Sequence, residues 1–245
     1  MNGDVLVVKL GGAAGLNMEA ALADLVQIAA ERPVVVVHGV SERMAVLSAE
    51  RGMAVETLVS PAGHESRYTP PPVRDLFVEA AGQINGEIMA GLAAHGASAT
   101  GLTTSLVLRG TRKDAVRAVV NGRIRVVRDD FTGSITGVEP TLIHDALAEN
   151  RIAVVPPLAN SADGPLNVDG DRAAAAVAGA IGATDLIILS NVRGLYRRFP
   201  DESTFVSTVR RGEIDDALGW ATGRMKRKVL GAQAALENGV GRVVI

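Results

Sequence analysis

The chain has 245 residues, of which 47 % are hydrophobic and only 3 % aromatic, with a formal net charge of −2. That length buries a sizeable core, and the near-neutral charge gives no global attraction to nucleic acid or to an anionic membrane. No cysteine is present, which excludes disulfides, thiolate catalysis and zinc–cysteine sites.

From the N-terminus, MNGDVLVVKLGG opens with the acidic Asp4 where a signal peptide is basic, and breaks on glycine too early for one. No apolar run reaches the roughly 20 residues that span a bilayer, so a cytoplasmic protein is expected. Short Val/Ile/Leu runs then alternate with longer Ala/Leu-rich segments. Strands are predicted at 5–10, 33–39, 98–102, 152–158, 185–191 and 240–245. Helices are predicted between them, at 17–31, 41–52, 73–95, 140–150, 171–182 and 226–238. Continuous apolar runs of strand length mark strands buried on both faces. The pattern therefore predicts an α/β fold with a mostly parallel sheet covered by helices. One segment breaks the alternation. VRAVVNGRIRVV (116–127) reads as two short strands around Asn121-Gly122, the preferred pair for a type I′ turn. The chain stops at Ile245 inside a strand pattern, so a trimmed C-terminus is expected.

Neither the P-loop pattern nor G-x-G-x-x-G is present, and His38, His64, His95 and His144 are too scattered for a metal site. Glycine turns at strand ends, accompanied by isolated lysines, stand in their place. VVKLGG (7–12) ends a buried strand with Lys9, whose ammonium needs solvent or an anion. The following Gly11 and Gly12 allow close backbone approach. This fits an anion site, and equally a solvated lysine beside an ordinary turn. His38-Gly39-Val40 ends the second strand, at the sheet edge where ligands of α/β folds gather. In LNVDGDRAAAAVAGA, Asp171 is placed to cap a helix, but capping alone explains poorly why Asn167, Asp169 and Asp171 stand together. In GRMKRKVLGA, the cations Lys226, Arg227 and Lys228 open a helix, against its dipole unless an anion faces them.

These pieces, in this order and across almost the whole chain, resemble the amino acid kinase family. The similarity is to N-acetylglutamate kinase and, more narrowly, to the branch that phosphorylates aminoadipate or glutamate held on an amino-group carrier protein. SRYTPP, GTRKDAVRAVVNGRIRVVRDDFTGSI, NVDGDRAAAAVAGAI and GRMKRKVLGA carry the narrower resemblance. It implies a three-layer sandwich with a β-hairpin excursion at 109–135, an acyl-substrate lobe over about 1–160 and a nucleotide lobe over 161–245. The implied reaction moves a phosphoryl group from ATP, with Mg²⁺ arriving on the nucleotide, to a side-chain carboxylate. Lys9 and Lys228 would stabilise that group and Asp171 would orient both. Gly11, Gly12 and Gly39 would hold phosphate and substrate through their N–H groups. Arg67 would grip the substrate's other carboxylate, Asn167 would bind the substrate's amide end, and Val40 would stand in the substrate site. Ser190, Asn191, Gly194, Leu195, Tyr196, Met225 and Lys226 would line the nucleotide. A homodimer is implied, with 73–95 as an interface helix.

The sequence departs from the family's pattern at three positions. Val40 replaces the second glycine of His-Gly-Gly and is expected to set a Cβ where substrate approaches. Asn191 and Pro70 each stand where aspartate is usual. A free N-acetylglutamate kinase and a non-catalytic paralogue are the alternatives these leave. Between Arg109 and Arg128 lie seven basic residues, opposed only by Asp114. They read as a solubilising face or, given the acidic carriers of the resembling branch, as a docking patch. Arg112, Lys113, Arg117, Arg123 and Arg125 are the expected carrier contacts.

Overall fold

The computed structural model describes residues 4–61, 63, 65–103, 107–120 and 122–245; Asn121 of the predicted turn and His64 lie outside them. The first half of the chain runs β1 (Leu6–Leu10), α1 (Met18–Ala29), β2 (Val34–His38), α2 (Ser41–Glu50), β3 (Thr57–Val59), β4 (Glu65–Arg67), α3 (Pro71–Ala94) and β5 (Ala99–Gly101). A run of strands follows: β6 (Leu108–Arg112), β7 (Val116–Val120), β8 (Arg123–Val127) and β9 (Gly133–Val138). Then come α4 (Thr141–Ala148), β10 (Ile152–Val155), β11 (Leu158–Asn160), β12 (Leu166–Asn167), α5 (Gly170–Ala180) and β13 (Asp185–Leu189). Last are β14 (Leu195–Tyr196), β15 (Phe205–Val206), α6 (Ile214–Trp220), α7 (Gly223–Glu237) and β16 (Arg242–Val244).

Six strands form one parallel sheet in the order β16-β13-β1-β2-β10-β5. Its residues alternate between two cores, as the strand period of two requires. Leu6, Val8, Leu10, Val34 and Val36 pack with Leu22 and Leu25 of α1 and Ile88 and Leu92 of α3. Val7, Val35, Val37, Leu186 and Ile188 pack with α4 and the alanines of α5. Those alanines let α5 lie close on the strands. The predicted three layers are therefore present.

The predicted strand 152–158 divides. β10 stays in the parallel sheet, Pro156-Pro157 interrupts the ladder, and β11 enters a second sheet, β12-β11-β6-β9. The expected hairpin is β7–β8, joined by two residues, with Val120 opposite Arg123 and Gly122 at φ 72°. β7 packs beside β3, whose partner β4 carries Arg67. Pro71 and Pro72 open α3, where missing N–H groups cost nothing. The apolar stripe of α3, including Leu76, Phe77, Ile88 and Leu92, is buried inside the chain. Its outer positions are small or charged, such as Asp75, Gly82 and Ala90.

Candidate active site

Alternation along β1 turns Leu10 toward α3 and Lys9 toward α5. Lys9 Nζ lies 2.8 Å from Asp171 Oδ1, and Lys228 Nζ lies 3.6 Å from Asp171 Oδ2. All three residues are buried, between 7 and 8 % exposed. Asp171 Oδ1 accepts no well-angled hydrogen bond, so its contact with Lys9 is electrostatic. Two ammoniums around one carboxylate leave an unbalanced positive charge away from water, an arrangement that an anion would complete. Burial lowers the pKa of Lys228, Lys9 lowers it further, and Asp171 opposes both.

Local structure delivers these groups differently from the sequence reading. Asp171 is not the cap of its helix. Asp169 is, and its Oδ1 accepts from the N–H groups of Asp171 at 3.0 Å and Arg172 at 2.9 Å. The neighbouring aspartate satisfies the helix end, which frees the Asp171 carboxylate for the lysines. Likewise α7 begins at Gly223 rather than at 226, so Lys226, Arg227 and Lys228 lie past the first three helical residues. Thr222 gives no side-chain cap, leaving the first N–H groups of α7 open. The Lys228 side chain leans back toward that end, as helical side chains do. Gly231 lets α7 close on α5, since a Cβ there would come within 3.2 Å of Asp171 Cβ and O.

The two glycine turns meet backbone to backbone. A Cβ on Gly12 would lie 2.4 Å from Gly39 C and from Val40 N, and one on Gly39 would lie 2.5 Å from Gly12 N. Only glycine fits either position. The expectation that Gly11 and Gly39 offer N–H groups to a ligand needs correcting. Gly11 N–H donates to Leu189 O at 3.0 Å and Gly39 N–H to Leu10 O at 2.9 Å, so both prolong the sheet ladder. The N–H groups of Gly12 and Val40 have no acceptor among the described residues and stand free instead.

Val40 is also corrected. Its φ is −132°, which a valine adopts, and its side chain packs with Met44, Leu47, Leu76 and Phe77 instead of entering the site. A cleft of about 330 Å³ opens at the glycine pair, lined among others by Gly12, His38, Gly39, Glu42 and Ile84.

Arg67 and Asn167 fall into one network. Asn167 Nδ2 donates to Thr69 Oγ1 at 3.1 Å, and that hydroxyl donates to Arg67 O at 3.0 Å. Buried Asp130 accepts from Thr69 N–H at 2.8 Å. Arg67 Nη1 is buried with no partner, and burial lowers the guanidinium's pKa. Sequence reasoning missed Thr69 and Asp130. Both lie inside strings that carry the resemblance, Thr69 in SRYTPP and Asp130 in RDDFTGSI, without being singled out there; Phe131 beside Asp130 lies under the guanidiniums of Arg74 at 4.6 Å and Arg112 at 4.0 Å.

Ser190 and Asn191 stand beside the first glycine turn. Ser190 Oγ is buried without a partner, and Asn191 Nδ2 donates to Ala14 O at 3.1 Å. Gly194 has φ 149°, where a Cβ would press on Phe205. Leu195, Tyr196 and Met225 are less available. Leu195 and Met225 pack in a satellite core with Ala217 and Val229, and Tyr196 turns its hydroxyl to Glu202 at 3.2 Å. Lys226 is exposed. Among the described residues, no three His, Cys, Asp or Glu side chains cluster as metal ligands.

Of the basic residues around the hairpin, Arg109 pairs with Glu139 at 2.6 Å. Arg112 is half-buried and donates to the carbonyls of Arg128 and Asp130. It braces the fold and is not a free surface cation, contrary to the expectation. Lys113, Arg117, Arg123 and Arg125 are exposed and form no ion pair among the described residues.

The family model described as the amino acid kinase family matches residues 4–245. The chain belongs to that family. This amino acid kinase is 37 % identical over 246 residues to the [LysW]-aminoadipate kinase of Deinococcus radiodurans, covering 98 % of the chain and 84 % of the relative. It is 37 % identical to the [LysW]-aminoadipate kinase of Thermus thermophilus, covering 98 % and 92 %. Among solved structures, the N-acetylglutamate synthase of Neisseria gonorrhoeae superposes with a TM-score of 0.77 at 23 % identity. That match covers 98 % of this kinase and 54 % of the synthase chain, and shows a shared fold. No helix among the described residues is long and apolar enough to cross a membrane.

Proposed function

We propose that this kinase transfers the γ-phosphoryl group of ATP to the side-chain carboxylate of an aminoadipate- or glutamate-like residue held on an acidic amino-group carrier protein. The observation that carries this reading is the buried pair of ammoniums, Lys9 and Lys228, around Asp171. The carboxylate is already a nucleophile, so no base is required. Its oxygen attacks the γ-phosphorus, the bond to the β–γ bridging oxygen breaks, and ADP departs with the electron pair. The difficulty is bringing one anion onto another. Lys9, Lys228 and the free N–H groups of Gly12 and Val40 answer it by electrostatics and positioning. The open N–H groups at the start of α7 would hold the nucleotide phosphates. Mg²⁺ entering with ATP would add charge neutralisation at the same oxygens.

Arg67 Nη1, buried and unpaired, suits a second carboxylate on the substrate, with Asn167 beside it. The carrier would approach over β7–β8, where Arg117, Arg123 and Arg125 are exposed next to the uncovered Ile124 and Val126. The relatives named for LysW-linked substrates support this choice.

The test offers ATP with carrier-bound aminoadipate, and separately with free N-acetylglutamate, and traps acyl phosphate with hydroxylamine. Hydroxamate from the carrier-bound substrate alone supports the proposal. Product from free N-acetylglutamate alone replaces it with the free-substrate reading. ATP binding without product on either points to a non-catalytic member. Reversing Arg123 and Arg125 to Glu should raise KM for the carrier-bound substrate and leave KM for ATP unchanged; equal turnover would reject the docking surface.

A further inference from the structure

Asn85 lies in the middle of α3, on the sheet face opposite Lys9, and is fully buried. It continues the apolar stripe of Phe77, Ala81, Ile88 and Leu92, where a polar side chain carries a desolvation cost unless it is bonded. Its Nδ2 lies 3.0 Å from Val154 O and 3.3 Å from His38 Nε2. The carbonyl of Val154 accepts only, so Nδ2 must be the donor there, and the amide orientation is fixed. Its second hydrogen then points at His38 Nε2, which must be the acceptor. The His38 proton is thereby placed on Nδ1, 3.4 Å from Gly39 O. Asn85 Oδ1 has no partner and faces Gly101, where a Cβ would come within 2.3 Å of it. Nothing on the oxygen side competes with this direction of donation.

The consequence reaches the site through one peptide plane. In a trans peptide the C=O and N–H vectors are antiparallel. The Gly39 carbonyl is drawn toward His38, on the α3 face. The N–H of Val40 in the same plane then points the other way, toward the face that carries Lys9. That N–H is one of the two left without an acceptor among the described residues. We infer that Asn85 is a positioning residue for phosphoryl transfer: it fixes His38 as the Nδ1–H tautomer, and the imidazole holds the Gly39–Val40 peptide with its N–H aimed at the ligand. His38 is also held neutral, its pKa lowered to about 4 by burial, with Lys9 on the neighbouring strand adding to the effect. A neutral ring with one donor and one acceptor is what the relay requires.

The first measurement needs no variant and no knowledge of the acyl substrate. Two-bond ¹H–¹⁵N spectra of the full chain at pH 7 should show His38 with a protonated Nδ1 and an unprotonated Nε2. The opposite tautomer would overturn the inference while leaving the proposed reaction intact. The second measurement is epistatic. Asn85→Leu removes the donor and should lower kcat by about tenfold, as a misaligned binding group does, while KM for ATP changes less than twofold. His38→Asn sets an amide N–H where Nδ1 stands and can hold Gly39 O without help from Asn85. In that background Asn85→Leu should cost less than twofold in kcat. An equal loss in both backgrounds would mean that Asn85 only packs α3, and the inference would fall. His38→Gln, whose amide reaches the Nε2 position instead, should not rescue.

Discussion

Asp171→Asn removes one charge and almost no volume, which makes it a clean perturbation of the site. At contacts of 2.8 and 3.6 Å, and with an effective dielectric of about 20, the carboxylate attracts Lys9 by about 6 kcal/mol and Lys228 by about 5 kcal/mol. Desolvation offsets most of this in the native protein, so the net effect is that of breaking a buried pair, about 3–5 kcal/mol of stability. The lysines also lose the group that aims them, and kcat should fall about 10²–10³-fold. A pH signature follows. The pKa of Lys228 is already lowered by burial and by Lys9, and Asp171 opposes that shift. Without Asp171 it falls further, so the alkaline limb of the kcat profile moves to lower pH. Urea unfolding and hydroxamate formation between pH 6 and 10 read both effects. Full activity and an unmoved alkaline limb would refute the charge bridge.

Gly12→Ala would force a Cβ to within 2.4 Å of two backbone atoms of the Gly39–Val40 turn. It should cost about 1–3 kcal/mol in urea melts and abolish turnover, since both free N–H groups move. Asn191→Asp exchanges a donor to Ala14 O for an acceptor. KM for ATP should rise about fivefold, from roughly 1 kcal/mol of lost hydrogen bonding, with KM for the acyl substrate unchanged. His38, buried with a pKa of about 4 against 6.5 unfolded, binds fewer protons folded than unfolded between those values. Stability should therefore fall as pH drops from about 6.5 to about 4, by about 3 kcal/mol in all. His38→Asn should remove that slope in urea titrations.

The layers were legible because their signal is local. A strand buried on both faces writes itself as Val-Val-Val-Val, and α1 through α5 appear as long apolar-periodic segments within a few residues of their observed ends. The triad was legible only through resemblance, because Lys9 and Lys228 are far apart in sequence. What stayed hidden depends on tertiary partners. Nothing in Asn167-Val168-Asp169-Gly170-Asp171 says which aspartate caps and which faces the lysines. Donors such as Gly39 N–H look free in a turn until Leu10 O is found beside them. Asn85 leaves a faint trace, a polar residue in an apolar helical row, which carries meaning only once Val154 and His38 lie against it.

Lys9 sits on β1 and Lys228 on α7, so the charge centre is assembled from segments far apart along the polypeptide. Five of the six strands of the parallel sheet precede α7 in the chain, so during synthesis the second ammonium follows most of the sheet. On the proposed function, phosphoryl transfer waits for α7. A fragment that ends before that helix should form no acyl phosphate, even where Gly12 and Gly39 meet as they do in the full chain.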